Sequence, residues 1–316
     1  MDDLNFFKSY ENCQLCPRQC GVDRTRKNSR GFCGESNRLR VGFIGPHFGE
    51  EPPISGTHGS GTVFLAGCSL KCSFCQNHQI SLEGTGETLS KGEFVTKLED
   101  LIFHQQVHNI NFVTPDHFFP HLFEAIGTLK EMGLNTPMLF NTSGYQSLEM
   151  LKYAEGFADI YLPDFKYADE NLAESLSRCR NYPTVALAAL TEMIRQKGFL
   201  DVFETGEEVS KKGVLVRHLI LPGNVGNSIL ALTTLFLEFG KKLPISLMSQ
   251  YSPVGHQKET ALNRRLTHEE FTAVYDHVRD LGFENLFVQF LPEPSGDDSE
   301  NTRFLPDFQK SSPFDS

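Results

Sequence analysis

Seven of the eight cysteines fall within the first 75 residues, at Cys13, Cys16, Cys20, Cys33, Cys68, Cys72 and Cys75. The later group stands in Gly67-Cys68-Ser69-Leu70-Lys71-Cys72-Ser73-Phe74-Cys75-Gln76-Asn77, with three residues and then two between successive thiols. Thiolates are the usual ligands of iron-sulfur clusters, and so short a run lets one loop wrap a cubane while its fourth iron stays open. An open position is what catalysis at a metal requires, as at catalytic zinc. The competing reading is a zinc ion completed by His78 or His58, against which the three-then-two spacing is unusual for a zinc knuckle. The earlier group, Cys13-x2-Cys16-x3-Cys20-x12-Cys33, has turns supplied by Pro17, Gly21, Gly31 and Gly34. Its four thiolates complete a shell, either for a structural zinc or for a closed four-cysteine cluster. Too few periodic apolar residues surround it to build a core, a deficit that a metal would offset. Cys179 lies alone in a helix-like stretch and reads as structural.

The compartment supports metal over disulfides. Met1-Asp2-Asp3-Leu4-Asn5-Phe6-Phe7 lacks the basic start and long apolar stretch of a secretion signal. No run approaches the roughly 18 apolar residues of a membrane span. The expected location is therefore the cytoplasm, where thiols stay reduced. Forty acidic residues against 29 basic ones give a net charge of −11. That balance excludes a broad phosphate-binding surface, so neither nucleic acid nor membrane is expected as a partner.

The elements that must position these groups follow from apolar runs. Stretches 62–66, 109–114, 137–141, 159–162, 214–221, 244–249 and 285–290 are short, apolar on both faces and bounded by Gly, Pro, Asn or Asp, as buried parallel strands are. Helices are expected at 118–133, 146–157, 183–197, 228–239 and 268–281. Another lies between the first two strands, where Ser90 and Glu93 make a capping-box pair ahead of Phe94, Leu98, Leu101 and Ile102. Alternation of this length predicts an α/β fold, a full or partial parallel (β/α) barrel. Residues 1–48 read as a cysteine-rich metal-binding module and 49–291 as the barrel, entered through a Pro/Gly-rich loop at 49–61. Residues 292–316 read as a mobile tail, because Glu293 to Glu300 cannot bury enough surface to repay its ordering entropy.

Cys68-x3-Cys72-x2-Cys75 after the first barrel strand, with Phe74 before the third cysteine, resembles the signature of the radical S-adenosylmethionine (SAM) superfamily. The segment from Glu50-Glu51-Pro52-Pro53 through Gly59-Ser60-Gly61-Thr62 to Cys75-Gln76-Asn77 resembles its branch related to pyruvate formate-lyase activating enzymes, and the likeness runs to about residue 290. The resemblance implies a [4Fe-4S] cluster whose open iron chelates SAM. It also implies reductive cleavage to a 5′-deoxyadenosyl radical, hydrogen abstraction from a substrate, and an electron donor such as flavodoxin or ferredoxin.

Loops after barrel strands build the active site. Thr114-Pro115-Asp116 stands where many relatives carry a Gly-Gly-Glu turn, so the Thr114 carbonyl takes over that contact; Asp116 and His117 read equally as helix-capping or functional. Asn141 and Ser143 suit a turn beside a ribose or carboxylate. Asp164-x-Lys166 resembles the element by which activating enzymes hold SAM, its lysine pairing with the methionine carboxylate. By the same resemblance Arg217 reaches into the barrel toward SAM, while His218 faces the opposite side and is packed. Gln250 is expected to line the adenosine or the substrate. Two substrate classes compete: a backbone glycine of a glycyl radical enzyme, or a small molecule or other protein residue. A non-catalytic iron-sulfur or zinc protein is the rival class; several polar strand ends speak against it.

Overall fold

All seven expected strands form, and they run parallel. The computed structural model describes residues 6–291 and 305–314. Its strands are β1 (Arg40–His47), β2 (Ser60–Leu65), β3 (Glu87–Thr88), β4 (Ile110–Val113), β5 (Met138–Thr142), β6 (Ile160–Pro163), β7 (Gly213–Val214), β8 (Val216–Leu219), β9 (Ile245–Met248) and β10 (Leu286–Val288). One sheet has the order β3-β1-β2-β4-β5-β6-β7 and a second the order β10-β9-β8. A parallel bridge between Asp164 and Arg217 joins them, so parallel strands curl continuously from β2 to β10. Among the described residues no pairing links β10 back to β2 or its neighbours, and the barrel is partial. The single strand expected at 214–221 is broken at Leu215, where the chain leaves its pairing with β6 and takes up pairing with β9. Sheet twist accounts for the break, because one strand must follow two differently oriented neighbours.

Helices cover the outside. The one at Lys91–Phe103 starts on the expected capping box, with the Glu93 amide donating to Ser90 Oγ at 3.3 Å and the Ser90 amide to Glu93 Oε2 at 2.8 Å. The helix at His268–Leu281 is capped the same way by Thr267 and Glu270. Phe119, Phe123, Phe140 and Phe157 stack in the helix-facing core, where this tryptophan-free chain uses phenylalanine for bulk. The inner face divides in three. Leu139, Ile160, Leu162 and Leu215 plug one end with Ile54 and Leu200, and Phe64, Val113 and Ile80 form a smaller apolar group. Strand alternation puts Asn111, Asn141, Asp164 and Arg217 on that same inner face, so part of the lumen is polar.

Two regions differ from the sequence reading. The boundary drawn at residue 48 falls inside continuous packing: β1 pairs antiparallel with β2, and Tyr10, Cys13, Leu15, Leu39 and Val41 share the barrel's core. A strand at Arg40–His47 escaped notice because polar and small residues interrupt its apolar ones. Residues 305–314, read as part of a mobile tail, are instead packed down. Phe308 is 5% exposed against Phe64, Phe314 stacks near Phe43 and His47, and Gln79 bonds both Asp307 and the Phe308 amide. Burial of Phe308 and partial burial of Phe314 offset the ordering entropy of this segment. The remainder of the expected tail, 292–304 and 315–316, lies outside the described residues.

Candidate active site

The loop from Cys68 to Gln76 leaves β2 and is held from every side. The Cys68 amide donates to the Cys33 carbonyl at 3.2 Å, the Ser73 amide to Leu176 O at 2.8 Å, and Gln76 Nε2 to Gln250 O at 2.8 Å. Gln257 Nε2 donates to Ser73 O at 3.0 Å. Arg18 reaches in from the N-terminal module, donating from Nε to Ser69 O at 3.0 Å and from Nη2 to Ser177 O at 2.8 Å. Ser69 Oγ donates to Asp116, which is fully buried. Burial pushes the Asp116 carboxyl up to about 6, against the pull of Ser69. Asp116 thus neither caps a helix through its side chain nor enters the lumen; it positions the cysteine loop. Sequence reasoning missed Arg18 and Gln257, whose contacts lie 51 and 184 residues away in the chain.

Two of the three thiols have hydroxyl partners, Ser177 Oγ donating to Cys72 Sγ at 3.1 Å and Ser81 Oγ to Cys75 Sγ at 3.2 Å, while Cys68 Sγ accepts the Leu70 amide at 3.3 Å. Burial first, and then Cys72 and Cys75 beside it, pushes the Cys68 thiol well above its ordinary range. Burial and Cys72 also raise the Cys75 thiol. Three thiolates on one loop, Cys72 buried and Cys68 and Cys75 half-buried, repel one another and are stabilised by a cation among them, which fits a metal centre. Among the described residues no group of three or more Cys, His, Asp or Glu is drawn tightly enough to hold a single ion. Among the described residues neither histidine of the zinc alternative is in hydrogen-bonding contact with the loop's thiols. His58 precedes β2 while Cys68 follows it, so roughly 20 Å of strand separates them. His78 turns Nε2 to Glu83 at 3.5 Å.

Facing Cys72 and Cys75 is Lys166, ion-paired with Asp164. Burial works against its charge, but the Asp164 carboxylate and the Cys72 thiol outweigh it and hold the ammonium on far above the usual lysine range. Ser143 and Gly144 arch over this pair. Tyr182 OH shares its one proton between Ser143 O at 2.8 Å and Asp164 O at 3.0 Å. Gly144 has φ +79°, and a Cβ there would stand 2.2 Å from the Asp164 carbonyl, so only glycine lets the two strand ends meet. Thr114 also adopts a left-handed conformation, φ +58°, while its amide donates to Asn141 O at 2.9 Å. That conformation costs a β-branched residue about 1–2 kcal/mol, and such strain gathers at functional sites. Asn141 is half-buried on the inner face. Gln250 gives its carbonyl to the cysteine loop and its side-chain oxygen to Gln289 at 3.2 Å.

Arg217 does enter the lumen, but its guanidinium is already engaged. It pairs with Glu50 and Glu51, and Asn111 Nδ2 donates to Glu50 at 2.8 Å. Burial alone would raise the Glu51 carboxyl; Arg217 overrides that and lowers it. His218 is packed outside, between Phe165 O at 2.7 Å and Ser228 Oγ at 2.9 Å. Cys179, buried, sits in the turn between two helices rather than within one.

The N-terminal cysteines gather around Arg24. Cys13, Cys16 and Cys33 are buried and Cys20 half-buried, and all are free thiols. The backbone at Gly31 passes close to the sulfurs of both Cys33 and Cys20. Arg24 is itself fully buried, donating to Ser36 O at 3.1 Å, His117 O at 2.8 Å and Cys13 Sγ at 3.7 Å, beneath the Tyr10 ring.

A family model described as the radical SAM superfamily matches residues 62–233. An uncharacterised protein of Methanocaldococcus jannaschii is 30% identical over 274 residues, covering 83% of this chain and 72% of the relative. Among solved structures, methylornithine synthase aligns at 16% identity over 72% of this chain and 70% of its own, with a TM-score of 0.45. Streptococcus suis SuiB bound to S-adenosylmethionine aligns at 12% identity over 71% and 48%, with a TM-score of 0.47. A domain of pyruvate-formate lyase-activating enzyme from Bacteroides vulgatus aligns at 14% over 54% and 93%, with a TM-score of 0.35. Likenesses this loose carry nothing about substrate. The family match and the archaeal relative establish that this chain belongs to the radical SAM superfamily, enzymes that work with a [4Fe-4S] cluster and S-adenosylmethionine.

Proposed function

We propose that Cys68, Cys72 and Cys75 hold the family's [4Fe-4S] cluster and that SAM lies across the adjoining strand ends, for hydrogen abstraction from a substrate. When bound, these cofactors supply one-electron cleavage of a carbon–sulfur bond and the hydrogen-abstracting power that follows. The observation that carries the reading is the placement of Lys166, half-buried, beside Cys72 and Cys75 with one carboxylate partner. Lys166 orients the methionine carboxylate through a charge-assisted bond, with Asp164 as its counter-ion in the free enzyme. The Thr114 carbonyl, Asn141, Ser143 and Gln250 complete the cradle. Arg217, neutralised by Glu50 and Glu51, contributes by fixing the entry to β2 and shaping the lumen. Anaerobic incubation with SAM and a strong reductant must yield 5′-deoxyadenosine. A Cys68/Cys72/Cys75→Ala protein that kept a reducible, SAM-responsive paramagnetic signal would refute the ligand assignment.

Within this chemistry we favour a backbone glycine of a partner enzyme as the hydrogen donor, because segment 50–77 and Asp164-x-Lys166 resemble the activating-enzyme branch. The alternative is a small molecule or another protein residue. Incubation with a glycyl radical enzyme, SAM and reductant decides by the appearance or absence of a glycyl radical signal. We also read Cys13, Cys16, Cys20 and Cys33 as a second metal centre, zinc or iron-sulfur. Support comes from Arg24: no carboxylate is in hydrogen-bonding contact with it among the described residues, and a fully buried cation needs an anionic neighbour. Four thiolates around a metal supply net negative charge. Metal analysis in the triple-alanine background isolates this centre, and absence of any metal there overturns it. We read the reducing cytoplasm as the site of action, where thiols stay available to metals.

A further inference from the structure

The hydrogen bonds that reach the loop's three thiols come from different places in the chain. Cys68 Sγ accepts the Leu70 amide and Cys75 Sγ the Ser81 hydroxyl, both from the loop or just after it. Cys72 Sγ accepts from Ser177, 105 residues further on and the last residue of the helix Glu170–Ser177. That helix end is pinned to the loop by the Ser73 amide on Leu176 O and by Arg18 on Ser177 O. Behind Ser177 stands Tyr167, whose hydroxyl lies 2.7 Å from Ser177 Oγ. A thiolate only accepts, so the Ser177 proton points to Cys72 and the Ser177 oxygen takes the Tyr167 proton. The order of donors is thereby fixed, from Tyr167 to Ser177 to Cys72. Tyr167 and Ser177 are both fully buried, and the Tyr167 ring is held edge-on by Tyr182 with centroids 5.1 Å apart. Ser81, by contrast, lines a surface cleft of about 260 Å³.

We propose that Ser177 and Tyr167 are positioning residues that raise the reduction potential of the centre on the cysteine loop, through a fixed chain of two donors ending at Cys72. The proposal rests on the reading that Cys68, Cys72 and Cys75 hold a [4Fe-4S] cluster. Reduction adds one electron, and so one negative charge, to the cluster and its thiolates, with no bond made or broken. A donor aimed at a thiolate stabilises the more negative state more, and the potential rises. Tyr167 adds to this in two ways. A hydroxyl whose oxygen already accepts a hydrogen bond is a stronger donor, because such chains polarise one another. The same bond also holds Ser177 in the rotamer that faces Cys72. Full burial leaves no water to replace either hydroxyl, whereas water can reach the place of Ser81 from the cleft. Tyr167 directly follows Lys166, so one short segment supplies both the cation beside the thiols and the start of the donor chain.

Anaerobic redox titration of the reconstituted protein with dithionite tests this, with the reduced fraction read by electron paramagnetic resonance. At a fixed potential the ratio of reduced to oxidised cluster should fall about tenfold in Ser177→Ala, a shift of about 59 mV to lower potential for one electron. Tyr167→Phe keeps the ring and its packing and should lower the ratio about threefold. Ser81→Ala should do less than Ser177→Ala, because water takes the vacated place. After reconstitution in deuterated water, electron-nuclear double resonance should show a deuteron coupled to the reduced wild-type cluster and lose it in Ser177→Ala. A Ser177→Ala ratio within about twofold of wild type overturns the proposal, and so does a Ser81→Ala effect as large as that of Ser177→Ala. If Ser177→Ala assembles no cluster, Tyr167→Phe decides, and an unchanged potential there overturns the proposal. A wild-type protein with no reducible cluster would instead defeat the reading of the three cysteines.

Discussion

Two cations stand beside cysteines in this molecule, one half-buried and one fully buried, and they are held in different ways. Lys166, in the barrel, is a point charge with one flexible carboxylate partner, Asp164, at a strand end that retains some exposure. Arg24, in the N-terminal module, is a planar fork locked onto the carbonyls of Ser36 and His117 and sandwiched near the rings of Tyr10 and Phe118. A single carboxylate can share its lysine with an incoming carboxylate; fixed carbonyls cannot exchange. The barrel cation is built for a ligand that comes and goes, the module cation for a permanent neighbour.

The sharpest way to break that contrast is Arg24→Ala. It orphans buried carbonyls on two segments and should lower stability by about 3–5 kcal/mol in denaturant unfolding. A loss no greater than that of an exposed arginine would show that Arg24 holds nothing. Next comes acid. Burial pushes His218, which braces the Phe165 carbonyl behind Lys166, down to about 4 from an ordinary 6.5. Because the folded value is depressed, the neutral ring's contribution is complete above pH 6.5 and is lost as the pH falls toward 4. On the order of 3 kcal/mol should disappear over that window. In His218→Gln the slope of stability against pH should flatten; an unchanged slope would place the titration elsewhere. The smallest effect on the fold, and the most telling for function, is Lys166→Ala. One charge-assisted bond of roughly 1.5–3 kcal/mol should weaken SAM binding about ten- to a hundredfold in calorimetry, with unfolding little changed. Unaltered affinity would remove Lys166 from the site, while a large loss of stability would make it another Arg24.

The cysteine spacing, the seven inner strands and the Asp164-x-Lys166 element were all readable along the chain, since each is a local pattern. The neighbours that make them a site were not. Asp116 read equally as a cap or a functional group, and its carboxylate is turned to Ser69. Arg217 looked free for a ligand until Glu50 and Glu51, from the loop before β2, arrived across the lumen. Residues 305–314 read as tail because the acidic stretch before them masked two phenylalanines that pack on Phe64 and Phe43.

What the amino-acid order determined by itself is the inventory: which thiols share a loop, which runs alternate as strand and helix, and which strand ends are polar. Periodicity and short spacing encode these because they depend on neighbours within a few residues. Only the tertiary structure decided how the two cysteine groups relate. The Cys33–Cys68 hydrogen bond, the reach of Arg18 to Ser69 and Ser177, and the burial of Arg24 against His117 all join segments distant in the chain. Such contacts are chosen by whichever partner satisfies a buried polar group at least cost, and no local pattern names that partner in advance.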